Sequence, residues 1–164
     1  MTDFTKTRAA FDLPQGITYL DGNSLGPMPA TATGRVARMM ADEWSQMLIT
    51  GWNKAGWYAQ PRKVGDRIAR LIGAGAGEVV MGDTLSIKVF QALSAALALR
   101  PDRRVILSDS GNFPSDLYVA QGLARATGAT LRVVAPEEVE AAIDDSLAVL
   151  MLTEVDYRSG RRHD

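Results

Sequence analysis

The sequence predicts an α/β layer protein, a mostly parallel sheet covered on both faces by helices. Beyond residue 78, short strand-like runs alternate with longer helical runs, and turns containing glycine or aspartate join them, which is the pattern of parallel strands linked by helical crossovers. The run Leu147-Ala148-Val149-Leu150-Met151-Leu152 is continuously apolar, as expected of an interior parallel strand buried on both faces. The pattern divides the chain into a helical arm with loops at 1–77 and an α/β region at 78–164.

Taken in order, residues 5–11 can form a short helix, which Pro14-Gln15-Gly16 breaks before a brief strand at 17–20. In the loop 21–29, two glycines and two prolines oppose regular structure. Pro29 leads into a helix on which Val36, Met39, Met40, Trp44 and Met47 recur at helical spacing and which ends near Gly51. A connecting loop at 52–61 carries its own aromatics. Val64, Ile68, Leu71 and Ile72 then mark one face of another helix, which Gly73-Ala74-Gly75-Ala76-Gly77 ends. The regular region follows: strand 79–81, helix 86–99, strand 105–108, helix 115–127, strand 131–134, a short helix at 139–143 and strand 147–152. The remaining Tyr157-Arg158-Ser159-Gly160-Arg161-Arg162-His163-Asp164 reads as a polar tail, with Arg161, Arg162 and His163 solvated. An α/β strand is normally followed by a covering helix, so this ending looks interrupted.

With 46% hydrophobic and 23% charged residues, the composition is that of a folded globular chain. A formal charge of -1 and the lack of a basic stripe interleaved with aromatics argue against nucleic acid. The longest apolar stretch, 92–99, is far short of the roughly 20 residues that span a bilayer, and residues 1–16 carry Asp3, Lys6, Arg8 and Asp12 rather than a secretory apolar core. A cytoplasmic protein without membrane partners is expected. With no cysteine and one histidine, His163, neither a disulfide framework nor a metal cluster is expected.

Three strand-end or helix-start segments could carry chemistry. In Gly82-Asp83-Thr84-Leu85-Ser86, backbone N–H groups opening a helix suit a phosphate, with hydroxyls of Thr84 or Ser86 adding donors; ordinary helix capping would use the same residues. Gly111-Asn112-Phe113-Pro114-Ser115-Asp116 would end one strand and open the next helix, at the carboxyl edge of the sheet where ligands bind in this architecture. There Phe113 could stack on a flat cationic heteroaromatic ring and Asp116 could lie near its nitrogen, although Ser115 as a cap, Asp116 as a dipole partner and Phe113 as core is the structural alternative. Thr153, closing the last strand, could reach the same edge. The loop Asp21-Gly22-Asn23-Ser24-Leu25-Gly26 reads equally as a structural turn, and Trp52 and Trp57 as stacking surface or as packing. Lys88 lies in the helix after the phosphate-type loop, where a solvated or phosphate-facing role fits better than catalysis.

Four separated motifs then carry a resemblance: Tyr19-Leu20-Asp21-Gly22-Asn23-Ser24-Leu25-Gly26, Asp83-Thr84-Leu85-Ser86-Ile87, Asn112-Phe113-Pro114-Ser115-Asp116-Leu117-Tyr118 and Leu152-Thr153-Glu154-Val155-Asp156-Tyr157. In this order they resemble the amino-terminal portion of kynureninase, from about Phe11 onward. The resemblance implies a partial large domain of the aminotransferase-like, fold-type I fold and pyridoxal 5'-phosphate as cofactor. By position, Leu85 and Ser86 look like the phosphate-binding pair and Phe113 the residue on the cofactor ring. Asp116 looks like the carboxylate near its nitrogen, Pro114 and Ser115 complete that segment, and Thr153 matches a further cofactor contact. Ser24 and Trp52 fall where the family lines its substrate pocket.

The family hydrolyses L-kynurenine or 3-hydroxykynurenine to anthranilate or 3-hydroxyanthranilate and L-alanine, in tryptophan degradation, and acts as a homodimer. The resemblance also implies that the Schiff-base lysine, the tyrosine before it, a second aspartate at the ring and the small domain lie beyond Asp164, so that no catalytic residue is assigned here. The isolated chain is then expected not to turn over kynurenine. Its other readings are a non-catalytic phosphate- or pyridoxal-phosphate-binding protein, or a module that pairs with the missing remainder or with an intact subunit. An uncovered apolar sheet edge would favour self-association.

Overall fold

The computed structural model describes residues 3–163 and divides into two units, Met1–Met81 and Gly82–Asp164. Asp164, the last residue of the expected polar tail, lies outside the described residues.

The first unit is helical, with one minimal strand pair. Helix α1 (Thr5–Ala9) leads into β1 (Phe11–Asp12), which pairs antiparallel with β2 (Met28–Pro29), Phe11 opposite Pro29. The expected strand at 17–20 does not form; Tyr19 instead turns its hydroxyl onto the carbonyls of Asp21 and Leu25, 3.0 and 2.6 Å away, folding the loop on itself. The long helix expected to reach Gly51 is broken into pieces. After α2 (Ala32–Arg38) comes a π-helical turn at Met39–Trp44, then α3 (Ser45–Met47). Leu48 follows at φ 47°, a conformation that costs a branched side chain energy and ends the helix there. Where a loop was expected, Gly51–Lys54 forms α4 and Trp57–Ala59 a 3₁₀ turn.

Helix α5 (Gln60–Ile72) runs from Pro61 in its first turn to Gly73, which takes the left-handed conformation that closes the helix. Residues 79–81 were expected to form a strand. They run instead against α5: the Met81 N–H donates to the Pro61 carbonyl at 3.0 Å, and the Val79 carbonyl oxygen lies 2.0 Å from where a Cβ on Gly65 would stand. With the Met81 N–H bonded to a helix and Val79 packed on it, they join no sheet. The absent side chain of Gly65 is what permits the approach.

The second unit holds the α/β layer. Helix α6 (Leu85–Leu99) precedes β3 (Val105–Asp109), α7 (Pro114–Thr127), β4 (Thr130–Val134) and β5 (Leu147–Leu150). The sheet is parallel, in the order β4-β3-β5. Leu131, Ile106 and Val149 are register partners across its three strands, and they share one face with Leu93 of α6 and Ala120, Leu123 and Ala124 of α7. Both long helices therefore cover the same face of a sheet that was expected to be covered on both. On the other face Leu107 is fully buried, whereas its partner Leu150 is 43% exposed.

The most apolar strand was expected to be interior, yet β3 occupies the centre and β5 an edge of the described sheet. Apolar content alone does not decide the order, because β3 gains neighbours on both sides through its own run Val105-Ile106-Leu107. Strand β5 also stops at Leu150, so Thr153 lies three residues past it. The short helix expected at 139–143 is two 3₁₀ turns, Pro136–Glu138 and Glu140–Ala142. A guanidinium holds the approach to β5: Arg132 Nη1 meets Asp144 at 2.7 Å and the Ala142 carbonyl at 3.0 Å. Hydrogen bonds from Ser146, then from Arg132, draw the Asp144 carboxyl down to about 2.

The polar tail is not a solvated extension. Residues 154–163 double back as two short arms, with Val155 and Arg162 bridged antiparallel and the His163 N–H donating to the Glu154 carbonyl at 3.0 Å. Among the described residues no helix is long and apolar enough to cross a membrane.

Candidate functional site

The carboxyl end of β3 is the most densely bonded part of the second unit. Asn112, 5% exposed, is its centre. Its Oδ1 accepts from the Phe113 N–H at 2.7 Å and from the Thr153 hydroxyl at 2.6 Å, while its Nδ2 donates to Ser108 Oγ at 3.0 Å and more weakly to the Met151 carbonyl at 3.4 Å. Ser108 Oγ in turn donates to the same Met151 carbonyl at 2.7 Å. One amide side chain thereby ties the turn after β3 to the segment after β5. A buried amide is tolerated only when its donors and acceptors are met, and here both ends are.

Asp109 ends β3 with its side chain 4% exposed. Its Oδ1 accepts from the Gly111 N–H at 2.6 Å, and its Oδ2 lies 3.2 Å from His163 Nε2. A Cβ on Gly111 would come within 2.9 Å of both Asp109 Oδ1 and Asp156 Oδ2, so this turn admits no side chain. The Asp156 carboxyl is drawn down to about 2, first by the Ser159 backbone N–H and then by that of Arg158, both of which donate to it.

Phe113, 47% exposed, ends the turn in extended conformation (φ -63°, ψ 133°), and Pro114 opens α7 with a φ already suited to a first helical turn. The Phe113 ring meets Tyr157 edge-on, centroids 4.9 Å apart at 65°. Asp116 is buried at 7% exposure in the first turn of α7, where the helix dipole favours a negative charge. The side-chain hydrogen bond to its carboxylate comes from Ser115 Oγ, at a long 3.4 Å. Most of its acceptor capacity is therefore open.

Leu85 and Ser86 are the first two residues of α6, so their N–H groups have no intrahelical acceptor. Thr84 caps the helix from an extended conformation, its Oγ1 3.5 Å from the Ile87 N–H. Ser86 is half-buried and lines a groove with Phe90 of α6 and Tyr118 and Val119 of α7. No hydrogen bond joins Ser86 to Asp116 or Thr153 among the described residues. Lys88 Nζ bonds Gln91 Oε1 at 3.0 Å and overlies Gly82.

In the first unit, Ser24 Oγ donates to Asp21 Oδ1 at 2.7 Å, closing the loop turn. Trp52 lines a separate apolar groove of about 660 Å³ with Trp44, Trp57, Val36, Met39 and Met81. Trp57 anchors the groove: its indole N–H donates to Glu43 Oε2 at 2.7 Å, and its ring packs on Gly51 and edge-on against Trp52. Ser24 does not line that groove.

The residues that hold the 111–116 turn were not singled out by the sequence. Asn112 had a signal, because an asparagine between a strand and a Phe-Pro step must be exposed or fully bonded. Asp109 had one too, as an aspartate two residues before a glycine can accept that glycine's N–H. His163 had none, being brought back by a turn that composition made look like a tail, and Tyr157 stood only as the last residue of a motif.

No family model matches the chain. Among curated proteins, it is 51% identical over 164 residues to kynureninase of Pseudomonas fluorescens. It is 48% identical to the kynureninases of Burkholderia pseudomallei (strain 1106a) and Burkholderia mallei (strain SAVP1). In each case the match takes in 96% of this chain and 39% of the relative. The chain thus spans about two-fifths of the length of the curated relatives it matches, and what it resembles over that span is an amino-terminal portion of kynureninase.

Proposed function

We propose that this chain supplies the pyridoxal-phosphate-holding part of a kynureninase-type hydrolase, which cleaves L-kynurenine or 3-hydroxykynurenine to an anthranilate and L-alanine. The observation that carries the reading is Asp116: a buried carboxylate at a helix start, with most of its acceptor capacity open among the described residues, three positions after the exposed Phe113. That pair fits a flat, cationic heteroaromatic ring. The free N–H groups of Leu85 and Ser86 at the start of α6 suit the phosphate, and the 51% identity to a named kynureninase favours the same assignment. When bound, pyridoxal phosphate supplies an electron-withdrawing ring that stabilises negative charge at the substrate's α-carbon.

In this reading the chain's own residues bind and orient. Phe113 would offer a ring against the cofactor, and the Asp116 carboxylate would favour a protonated ring nitrogen. Pro114 and Ser115 fix the start of α7 that presents Asp116. Thr153, held to Asn112, bounds the same edge of the sheet. Ser24 and the Trp52 groove stand for the substrate side. Residues 1–77 would form the helical arm and 78–164 the cofactor region of a cytoplasmic protein that works as a homodimer or with the remaining part of such an enzyme.

The test is titration of the folded chain with pyridoxal phosphate, followed by circular dichroism in the cofactor's absorption band. Saturable binding that weakens at least ten-fold in Asp116→Ala is expected. A folded chain that shows no saturable signal would refute the reading.

A further inference from the structure

We propose that the doubled-back segment 154–163 is part of the site, with His163 and Tyr157 as positioning residues for the turn that presents Phe113. The inference deepens the cofactor reading above and rests on it for the purpose of the positioning, while the positioning itself stands on geometry.

The segment is a built element. The Asp156 N–H donates to the Arg161 carbonyl at 2.8 Å, the His163 N–H to the Glu154 carbonyl at 3.0 Å, and Asp156 Oδ1 accepts from the Ser159 and Arg158 N–H groups at 2.8 and 2.9 Å. It is then fastened at two places. Arg161 Nη1 reaches Glu137 Oε1 at 2.8 Å, across 24 residues of chain, and His163 Nε2 reaches Asp109 Oδ2 at 3.2 Å, across 54. The first of these is an exposed ion pair of small worth. The second ends on a carboxylate that is 4% exposed, where a lost partner matters more.

His163 acts on the turn through Asp109. With Nε2 as donor, the imidazole occupies Asp109 Oδ2 and leaves Oδ1 aimed at the Gly111 N–H, 2.6 Å away. Gly111 is the first residue of the turn that Asn112 and Phe113 continue. Tyr157 acts directly, its ring packed against that of Phe113 in a T-shaped contact with centroids 4.9 Å apart and planes at 65°. The turn is therefore held from the sheet side by Asp109 and Asn112 and from the outside by Tyr157. The segment that composition marks as a tail contributes to both holds, His163 through Asp109 and Tyr157 directly.

The experiment uses the full chain and reads amide hydrogen exchange, Phe113 ring resonances and pyridoxal phosphate affinity in His163→Ala, His163→Gln, Tyr157→Ala and Tyr157→Phe. In His163→Ala the Gly111 amide should exchange at least ten-fold faster while the Ile106 and Ala120 amides keep their protection, and cofactor affinity should fall several-fold. Glutamine, which retains an N–H donor, should restore both. Tyr157→Ala should shift the Phe113 ring resonances and weaken binding, and Tyr157→Phe should do neither. Tyr157 is 54% exposed, so its variants fold even if a histidine variant does not. Unchanged Gly111 exchange, a loss of protection spread equally over the core, or unaltered cofactor affinity in both alanine variants would overturn the proposal. Absence of cofactor binding in the unaltered chain, with Gly111 still responding to His163→Ala, would refute the cofactor reading instead.

Discussion

Asn112→Ala should cost the second unit about 3 kcal/mol. The side chain makes three hydrogen bonds at 3.0 Å or less, to Thr153 Oγ1, the Phe113 N–H and Ser108 Oγ, and one longer bond to the Met151 carbonyl. At about 1 kcal/mol net for each of the three short bonds, their loss sums to about 3 kcal/mol. Against a typical total of about 5–15 kcal/mol for a natural protein, that is a large fraction. With a urea dependence of about 2 kcal/mol per molar, the unfolding midpoint should fall by about 1.5 M. Thr153→Val removes only the 2.6 Å bond and should lose about 1 kcal/mol. Urea unfolding followed by far-UV circular dichroism measures both. A loss below about 1 kcal/mol for Asn112→Ala would show that the amide does not tie the two strand ends together, and the geometry of the site would lose its basis.

Three further outcomes follow from other parts of the molecule. Gly65→Ala would set a Cβ 2.0 Å from the Val79 carbonyl oxygen, so α5 and residues 79–81 must separate; a loss of about 2 kcal/mol or more is expected on thermal melting of the first unit, and wild-type stability would contradict the packing. The Asp156 carboxyl, drawn from 3.8 to about 2, stabilises the turn fully above pH about 4 and loses that contribution as pH falls through about 2; exchange of the Arg158 and Ser159 amides should therefore accelerate across that window beyond the intrinsic change, and a flat response would refute the linkage. Lys88 is bonded to Gln91, so borohydride reduction in the presence of pyridoxal phosphate should leave it unmodified. A stable cofactor adduct on Lys88 by mass measurement would reverse that assignment.

The α/β pattern was legible because α6, β3, α7 and β4 each carry their own period and punctuation: Thr84 before α6, Pro114 at the start of α7, Gly128 after it. What local sequence could not convey was partnership. Residues 79–81 have strand-like side chains, yet their backbone groups meet α5 because Gly65 leaves room for them. Leu147-Ala148-Val149-Leu150 reads as an interior strand, but order in a sheet depends on which strands remain unpaired, and β3 takes the centre. That Phe113 and Asp116 stand where a strand gives way to a helix was legible from the local sequence. The contact between Asp109 and His163 was not, since 54 residues separate two side chains that end 3.2 Å apart.

The most direct test of the central claim is an amide resonance titration of the full chain with pyridoxal phosphate. Leu85, Ser86, Phe113, Asp116 and Thr153 should shift together along one saturation curve. Shifts confined to one of these segments, or following separate curves, would show that they do not form a single cofactor site.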